Sequence, residues 1–190
     1  MGGRMKALLK LNGELFIERQ LAEMSKVCNE ILIIANEPSL FEQQLSWTGA
    51  EVRIIPDLQP GKGPLAGLQA AMSAARNAEL WAVACDMPRI SSAAADTLLA
   101  IRRSRGDEGR DAAVPLVNGR LQPLHAVYHR RCAGIIDGLL EAGRFRVMEL
   151  LDLLDYAVAE DGEFINKGIS PTFTENVNTP EDLEQLEQSQ

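Results

Sequence analysis

"EILIIANEPSLFEQQLSWTGAEVRIIP", residues 30 to 56, carries two short aliphatic runs, Glu30 to Asn36 and Glu51 to Pro56, on either side of a polar segment. Each run is too short for a buried helix and too continuous for a half-exposed strand, so each reads as a strand covered on both faces. Between them, Ser39 to Trp47 has helical spacing. The unit is strand, helix, strand, and the pattern extends outward. Upstream, Leu15, Ile17, Leu21, Met24 and Val27 recur near helical spacing. Downstream come the loop "DLQPGKG", a helix from Pro64 to about Asn77 and the strand "LWAVACD". Short apolar strands alternating with helices indicate parallel pairing, so the expected fold is a three-layer α/β/α sandwich with a mostly parallel sheet.

Farther along, Ser91 or Ser92 can cap the next helix, and "RRSRGDEGRD" reads as a surface loop. "AAVPLV" and "LHAVYH" flank Asn118-Gly119, a tight-turn signal, and predict a hairpin in which Pro115 takes an edge or a bulge. Helices are expected around Arg131 to Glu141 and Arg146 to Leu154, a strand at "DYAVAE" and a loop at "DGEFINKGISPT". Thr179, Pro180, Glu181 and Asp182 form a good helix start, because side-chain oxygen and negative charge satisfy the free N–H groups there.

At 190 residues, 46% hydrophobic and 24% charged, the chain fits one globular domain with a full core. No apolar run reaches the ~20 residues of a membrane span, and no signal-peptide pattern follows Met1, so a cytoplasmic setting is expected. The net charge of −8 argues against nucleic acid as a partner and leaves small anionic substrates open. Cys28, Cys85 and Cys132 are far apart and odd in number, and read as reduced core thiols.

In an open parallel sheet, ligands gather at the carboxyl ends of the strands. Polar residues stand there: Asn36, Asp57 and Asp86 each follow an aliphatic run. Asp86, with Pro88 turning the chain, is placed either to hold Mg²⁺ beside a triphosphate or simply to begin a turn. Gly61, Gly63 and Gly67 lie four residues past the strand and have the wrong spacing for a dinucleotide-binding fingerprint. His125 and His129 have no carboxylate or thiol at metal spacing and are expected to have structural or surface roles. The opening "MGGRMKALLKLNG" combines glycine with Arg4, Lys6 and Lys10, the composition of a phosphate-holding loop, yet no strand stands before it.

In order along the chain, "GRMKALLKLNG", "IIAN", "VRIIPD", "GKGPLAGL", "ACDMP", "QPLHAVY", "GRFRVMELL" and "NVNTPEDL" resemble the molybdenum cofactor guanylyltransferases. The resemblance implies a Rossmann-like nucleotide-diphospho transferase fold and transfer of GMP from GTP to molybdopterin with Mg²⁺. It also allows transient contact with molybdenum cofactor insertion proteins or molybdoenzymes. By position it implies that Gly3 and Lys6 hold the nucleotide, with Lys6 on its phosphates, that Asn36 and Asp57 hold the guanosine, and that Asp86 holds the metal. Lys6 and Asp86 would be catalytic, and Arg146, Asn176 and Asn178 would face the pterin. Such proteins begin with an apolar strand and a Leu-Ala-Gly-Gly-x-Ser-x-Arg turn, neither of which is in this sequence. Residues 1–190 are therefore expected to be a single domain that is incomplete at its N-terminus. The alternatives are a cytidylyl or other nucleotidyl transferase and a non-catalytic cofactor carrier.

Overall fold

The computed structural model describes residues 6–44, 50–57, 59–104 and 109–188. A 3₁₀ turn at Lys6–Leu8 leads into β1 (Lys10–Leu11), β2 (Glu14–Leu15), α1 (Phe16–Met24), β3 (Glu30–Ala35), α2 (Pro38–Gln44) and β4 (Glu51–Pro56). Then follow α3 (Pro64–Ala74), β5 (Glu79–Val83), α4 (Ser92–Arg103), β6 (Ala112–Val117), β7 (Arg120–Leu121) and β8 (His125–His129). The chain closes with α5 (Ala133–Glu141), α6 (Val147–Leu151), β9 (Tyr156–Glu160), α7 (Asp161–Ile165) and α8 (Pro180–Gln188).

β3 and β4 pair in parallel from Glu30 with Glu51 to Ala35 with Pro56. β8 pairs antiparallel with both β5 and β6, and β6 pairs parallel with β9. β5, β6 and β9 therefore run one way. At the amino end of β3, Glu30 accepts the Arg76 backbone N–H at 3.0 Å and Asn77 donates to Asn29 at 3.1 Å. β5 thus starts beside β3 and shares its direction, so among the longer strands β8 alone is reversed. The mostly parallel sheet expected from the aliphatic runs is present, in two parts: β3 with β4, and β5 to β9.

The reversal comes from the predicted hairpin. Asn118 and Gly119 have φ of 50° and 71°, the left-handed pair that a two-residue turn between twisted strands requires. Val117 then faces Arg120 across the turn. Pro115 has no N–H to give; its carbonyl takes the Gln122 N–H at 2.8 Å, the chain leaves register, and β8 rejoins only at Ala112 and Ala113. Asn12 and Gly13, with φ of 53° and 87°, make a second hairpin between β1 and β2 that the sequence pattern did not announce. α7 occupies part of the segment expected as a loop, anchored by buried Phe164, with the Glu163 carboxylate accepting the Glu160 N–H at 3.0 Å. α2 begins as expected, and the end of that predicted helix lies outside the described residues. The "RRSRGDEGRD" loop likewise falls partly outside them.

Helices cover both faces. Leu65, Met72, Val114, Tyr128, Ile136 and Leu150 pack α3, α5 and α6 against the strands. Ala94, Leu98, Val127, Ala157, Phe164 and Phe173 fill the side of α4 and α7, and Ile17, Leu21, Ile31, Ile33 and Phe41 join α1 and α2 to β3. Burying each large side chain removes about 1.5–3 kcal/mol of exposure cost. One expectation fails here: Cys132 is buried and Cys28 half-buried, but Cys85 is exposed, because it lies past the last residue of β5, where it lines the groove between β3 and β5.

Candidate active site

The turn after β5 is held from below. Gln20, on the buried face of α1, donates its amide to the carbonyls of Ala84 at 2.8 Å and Met87 at 2.9 Å, on either side of Asp86. From above, the Val177 N–H reaches the Asp86 carbonyl at 2.9 Å. The carboxylate of Asp86 is thus fixed at the carboxyl end of β5. Lys6 Nζ lies 2.9 Å from Asp86 Oδ2 and 2.6 Å from Asn178 Oδ1. Residues separated by 80 and 172 positions meet on one ammonium group.

Asn178 has its own support. Asp182 Oδ2 accepts the backbone N–H groups of Asn178 and Thr179, both at 2.8 Å, while Thr179 Oγ1 accepts the Asp182 N–H at 3.1 Å. The bonds from Asn178 and Thr179 hold the Asp182 carboxyl below its usual range. The predicted cap of α8 is therefore also the mount for Asn178. Asn176, two residues earlier, is exposed and borders the large groove between β3 and β5.

The remaining predicted residues stand in two other places. Asn36 and Asp57 follow β3 and β4 and are brought side by side, the Asp57 N–H bonding to the Ala35 carbonyl at 3.0 Å. The Asp57 carboxylate is turned onto its own loop, where it accepts the Gln59 N–H at 2.8 Å. Arg146 is exposed at the start of α6, next to Phe145, whose ring lies 5.2 Å from Lys62 Nζ in the glycine loop. Neither group shares a hydrogen bond with the Lys6 cluster among the described residues. Gly3 and Arg4 lie outside those residues.

The two histidines stand apart from the Lys6 cluster, His125 in the core and His129 partly exposed at the end of β8. His125 is fully buried between Trp81 and Phe173, its Nε2 accepts the Ser91 N–H at 3.4 Å, and burial lowers its pKa to about 4. His129 Nδ1 accepts the Arg131 N–H at 3.0 Å. Gln20 and Asp182 were missed as site residues. The Asp182 signal lay in its helix-start pattern, whereas Gln20 looks like any polar residue of an amphipathic helix.

Mg²⁺ suits the donors present. Asp86 and Asn178 direct a carboxylate and an amide oxygen toward one cation, the hard ligands that Mg²⁺ takes while phosphates and water complete its shell. No cluster of three or more His, Cys, Asp or Glu side chains suited to a metal occurs among the described residues, so a cage built wholly of such groups is not offered.

A layered α/β molecule that gathers a lysine, a carboxylate and an amide at the carboxyl ends of its strands belongs to the nucleotide-handling class. The pattern of the MobA-like NTP transferase domain matches residues 1–156. A "Probable molybdenum cofactor guanylyltransferase" of Halalkalibacterium halodurans is 34% identical over 185 residues, which span 95% of this chain and 88% of that protein. One of the same name from Pelotomaculum thermopropionicum is 36% identical, over 95% of this chain and 83% of its own. Among solved structures, molybdopterin-guanine dinucleotide biosynthesis protein A of Archaeoglobus fulgidus has a TM-score of 0.77 at 24% identity, covering 98% of this chain and 90% of its own. The 4-diphosphocytidyl-2C-methyl-D-erythritol synthase of Anaerococcus prevotii has a TM-score of 0.74 at 10% identity, covering 99% and 91%. These two likenesses concern the fold. The chain belongs to the MobA-like NTP transferase family, and it is a nucleotidyltransferase.

Proposed function

We propose that the protein transfers GMP from GTP to molybdopterin and releases pyrophosphate. The observation that carries this reading is the meeting of Lys6, Asp86 and Asn178 on one point at the carboxyl end of β5, in a chain whose relatives are named for that activity. In the reaction, a phosphate oxygen of molybdopterin forms a bond to the α-phosphorus of GTP. The bond from that phosphorus to the bridging oxygen breaks, and pyrophosphate leaves with the electron pair. No protein nucleophile is required, so the chain's work is to position two polyanions and balance their charge.

Lys6 exchanges its carboxylate and amide partners for triphosphate oxygens and steadies the charge that develops there. Asp86, with Asn178 beside it, would hold Mg²⁺, which when bound neutralises phosphate oxygens and favours the leaving group. Gln20 keeps the Asp86 turn from shifting as these partners change. Asn36 and Asp57 are assigned to the guanosine, and Arg146 and Asn176 to the pterin, with Asn178 between pterin and phosphates. On this reading the protein works in the cytoplasm and hands its product to molybdenum cofactor insertion proteins or molybdoenzymes.

The test is to incubate the protein with molybdopterin, Mg²⁺ and labelled GTP, with CTP in parallel. Formation of the guanine dinucleotide with equimolar pyrophosphate is the expected result. Transfer from CTP in preference to GTP would reassign the base, and molybdopterin binding with no pyrophosphate from either would leave a carrier.

A further inference from the structure

Two polar side chains of α1 reach one stretch of chain, Ala84 to Ser92, and that stretch carries Asp86. Gln20, only 5% exposed, gives its amide to the carbonyls of Ala84 and Met87, which flank Asp86. One turn along the same helix face, the Glu23 carboxylate accepts the Ser92 N–H at 2.8 Å and the Ser92 hydroxyl at 2.7 Å, where α4 begins. α1 therefore grips the stretch at both ends.

The other half of the reaction centre is mounted on the same helix. α1 packs on the Lys6–Leu8 turn, where Ala7 is buried with Ile17 and Leu21. The N–H of Phe16, the first residue of α1, bonds to the Leu9 carbonyl at 2.9 Å. Lys6 and Asp86 are 80 positions apart in the chain and have this helix in common. A buried amide that directs its N–H groups at two carbonyls on either side of one carboxylate fixes the angle of that carboxylate as well as its place.

With Lys6 and Asp86 assigned to the chemistry as above, we propose that α1 sets the spacing between them and that Gln20 is a positioning residue of the reaction. Its amide keeps the Asp86 turn in place while Lys6 passes from the carboxylate to an incoming phosphate, so the carboxylate stays where a metal can use it. Outer partners of this kind govern metal affinity although they touch no metal. Glu23 holds the far end of the stretch and has less effect on the carboxylate.

The experiment compares the parent with Gln20→Met, which keeps the length and drops the donors, and with Gln20→Glu, which keeps the shape and turns oxygen toward both carbonyls. Ile136→Ala, a cavity in the core of α3 and α5, supplies a loss of stability away from the site. The first measurement is hydrogen exchange without substrates. The Met87 and Val177 amides, bonded to the carbonyls of Ala84 and Asp86, should lose about tenfold or more of their protection in both Gln20 variants. The second is Mn²⁺ binding in the presence of GTP, followed by the paramagnetic signal of the free ion. Affinity should fall about tenfold or more in the Gln20 variants, less in Glu23→Met, and stay at the parental value in Ile136→Ala. Parental protection of both amides in the Gln20 variants would overturn the proposal, as would Mn²⁺ affinity that follows stability alone across the four variants. If the Gln20 variants do not fold, the parent decides: its Gln20 side-chain amide protons should exchange slowly both before and after GTP and Mn²⁺ are added, and their release on binding would overturn the assignment. Molybdopterin enters none of these measurements. A parent that makes no guanine dinucleotide would end the functional reading, and exchange at Met87 and Val177 would still decide the role of Gln20.

Discussion

Asp86 and His125 are both partly or wholly enclosed, but they use enclosure in opposite ways. Asp86 stands beside a cation that can be exchanged, and replacing its carboxylate by an amide leaves shape while removing charge. Asp86→Asn is expected to fold normally and to lower transfer by about 10² or more, because a neutral amide binds Mg²⁺ poorly and leaves Lys6 without its charged partner. Turnover close to the parent at saturating Mg²⁺ in the folded variant would remove Asp86 from the mechanism. His125 packs between the rings of Trp81 and Phe173, and its Nε2 already accepts the Ser91 N–H. Protonation would break that bond and bury a cation. Since the folded pKa, about 4, lies below the ordinary value, the unfolded chain binds the extra proton first as pH falls. Stability is therefore full above about 6.5 and declines as pH falls toward 4, by about 3 kcal/mol for a shift of that size. Urea titrations of the parent and of His125→Phe between pH 7 and 4 check this: the parent should weaken with a slope that the variant lacks, and parallel curves would refute it.

At the scale of elements, the parts read most directly from the sequence were those whose signal is local. The aliphatic runs of β3, β4 and β9, the Asn118-Gly119 turn and the capped start of α8 each depend on neighbours a few residues away. What the pattern missed was either too short or too distant. The two-residue strands β1 and β2 leave no alternation to detect, and α7 sits in a glycine-containing segment with only Phe164 to anchor it. The Lys6, Asp86 and Asn178 cluster joins three elements far apart in the chain: Asp86 was legible from its place after an aliphatic run and Lys6 from the basic opening, whereas Asn178 rested on the resemblance and its meeting with the other two on the fold. The start of α8 tests whether a cap also serves chemistry. Thr179→Ala removes one capping oxygen and is expected to cost about 1 kcal/mol, a fall of roughly 2–4 °C in Tm, with little change in kcat/KM. Asp182→Ala releases the backbone of Asn178 itself and should lower kcat/KM several-fold more than Thr179→Ala does. Equal kinetic effects from the two variants would show that α8 merely closes the domain.

Across the whole molecule, stability is unevenly distributed because the sheet is in two parts. β6 has paired neighbours on both sides, β8 and β9, and lies between the cores that α3 with α5 and α4 with α7 build. Among the described residues, β3 and β4 pair only with each other. Ties to the rest include α3, the Arg53 bond to the Ala74 carbonyl at 3.1 Å, the bonds of Arg76 and Asn77 near the amino ends, the Gln20 amide at the other end, the Glu23 carboxylate, which accepts the Ser92 N–H at 2.8 Å and hydroxyl at 2.7 Å, and the Lys6 bond to Asp86. Most of these ties are polar and several are exposed, so each contributes about 1 kcal/mol or less, whereas the β6 region must lose two apolar clusters to open. The β3 and β4 unit, with α1 and α2 on it, should therefore open as a body before global unfolding. Native-state hydrogen exchange at low urea is the measurement. Amides of Ile33 and Ile34 should exchange through an opening at least ~2 kcal/mol below that of Ala113 and Val127, corresponding to rates about thirtyfold faster, and the two sets should converge as urea rises toward the midpoint. Equal protection of both sets in water would mean that the polar ties and α3 alone bind the two parts into one cooperative unit, and the division of the sheet would then carry no dynamic consequence.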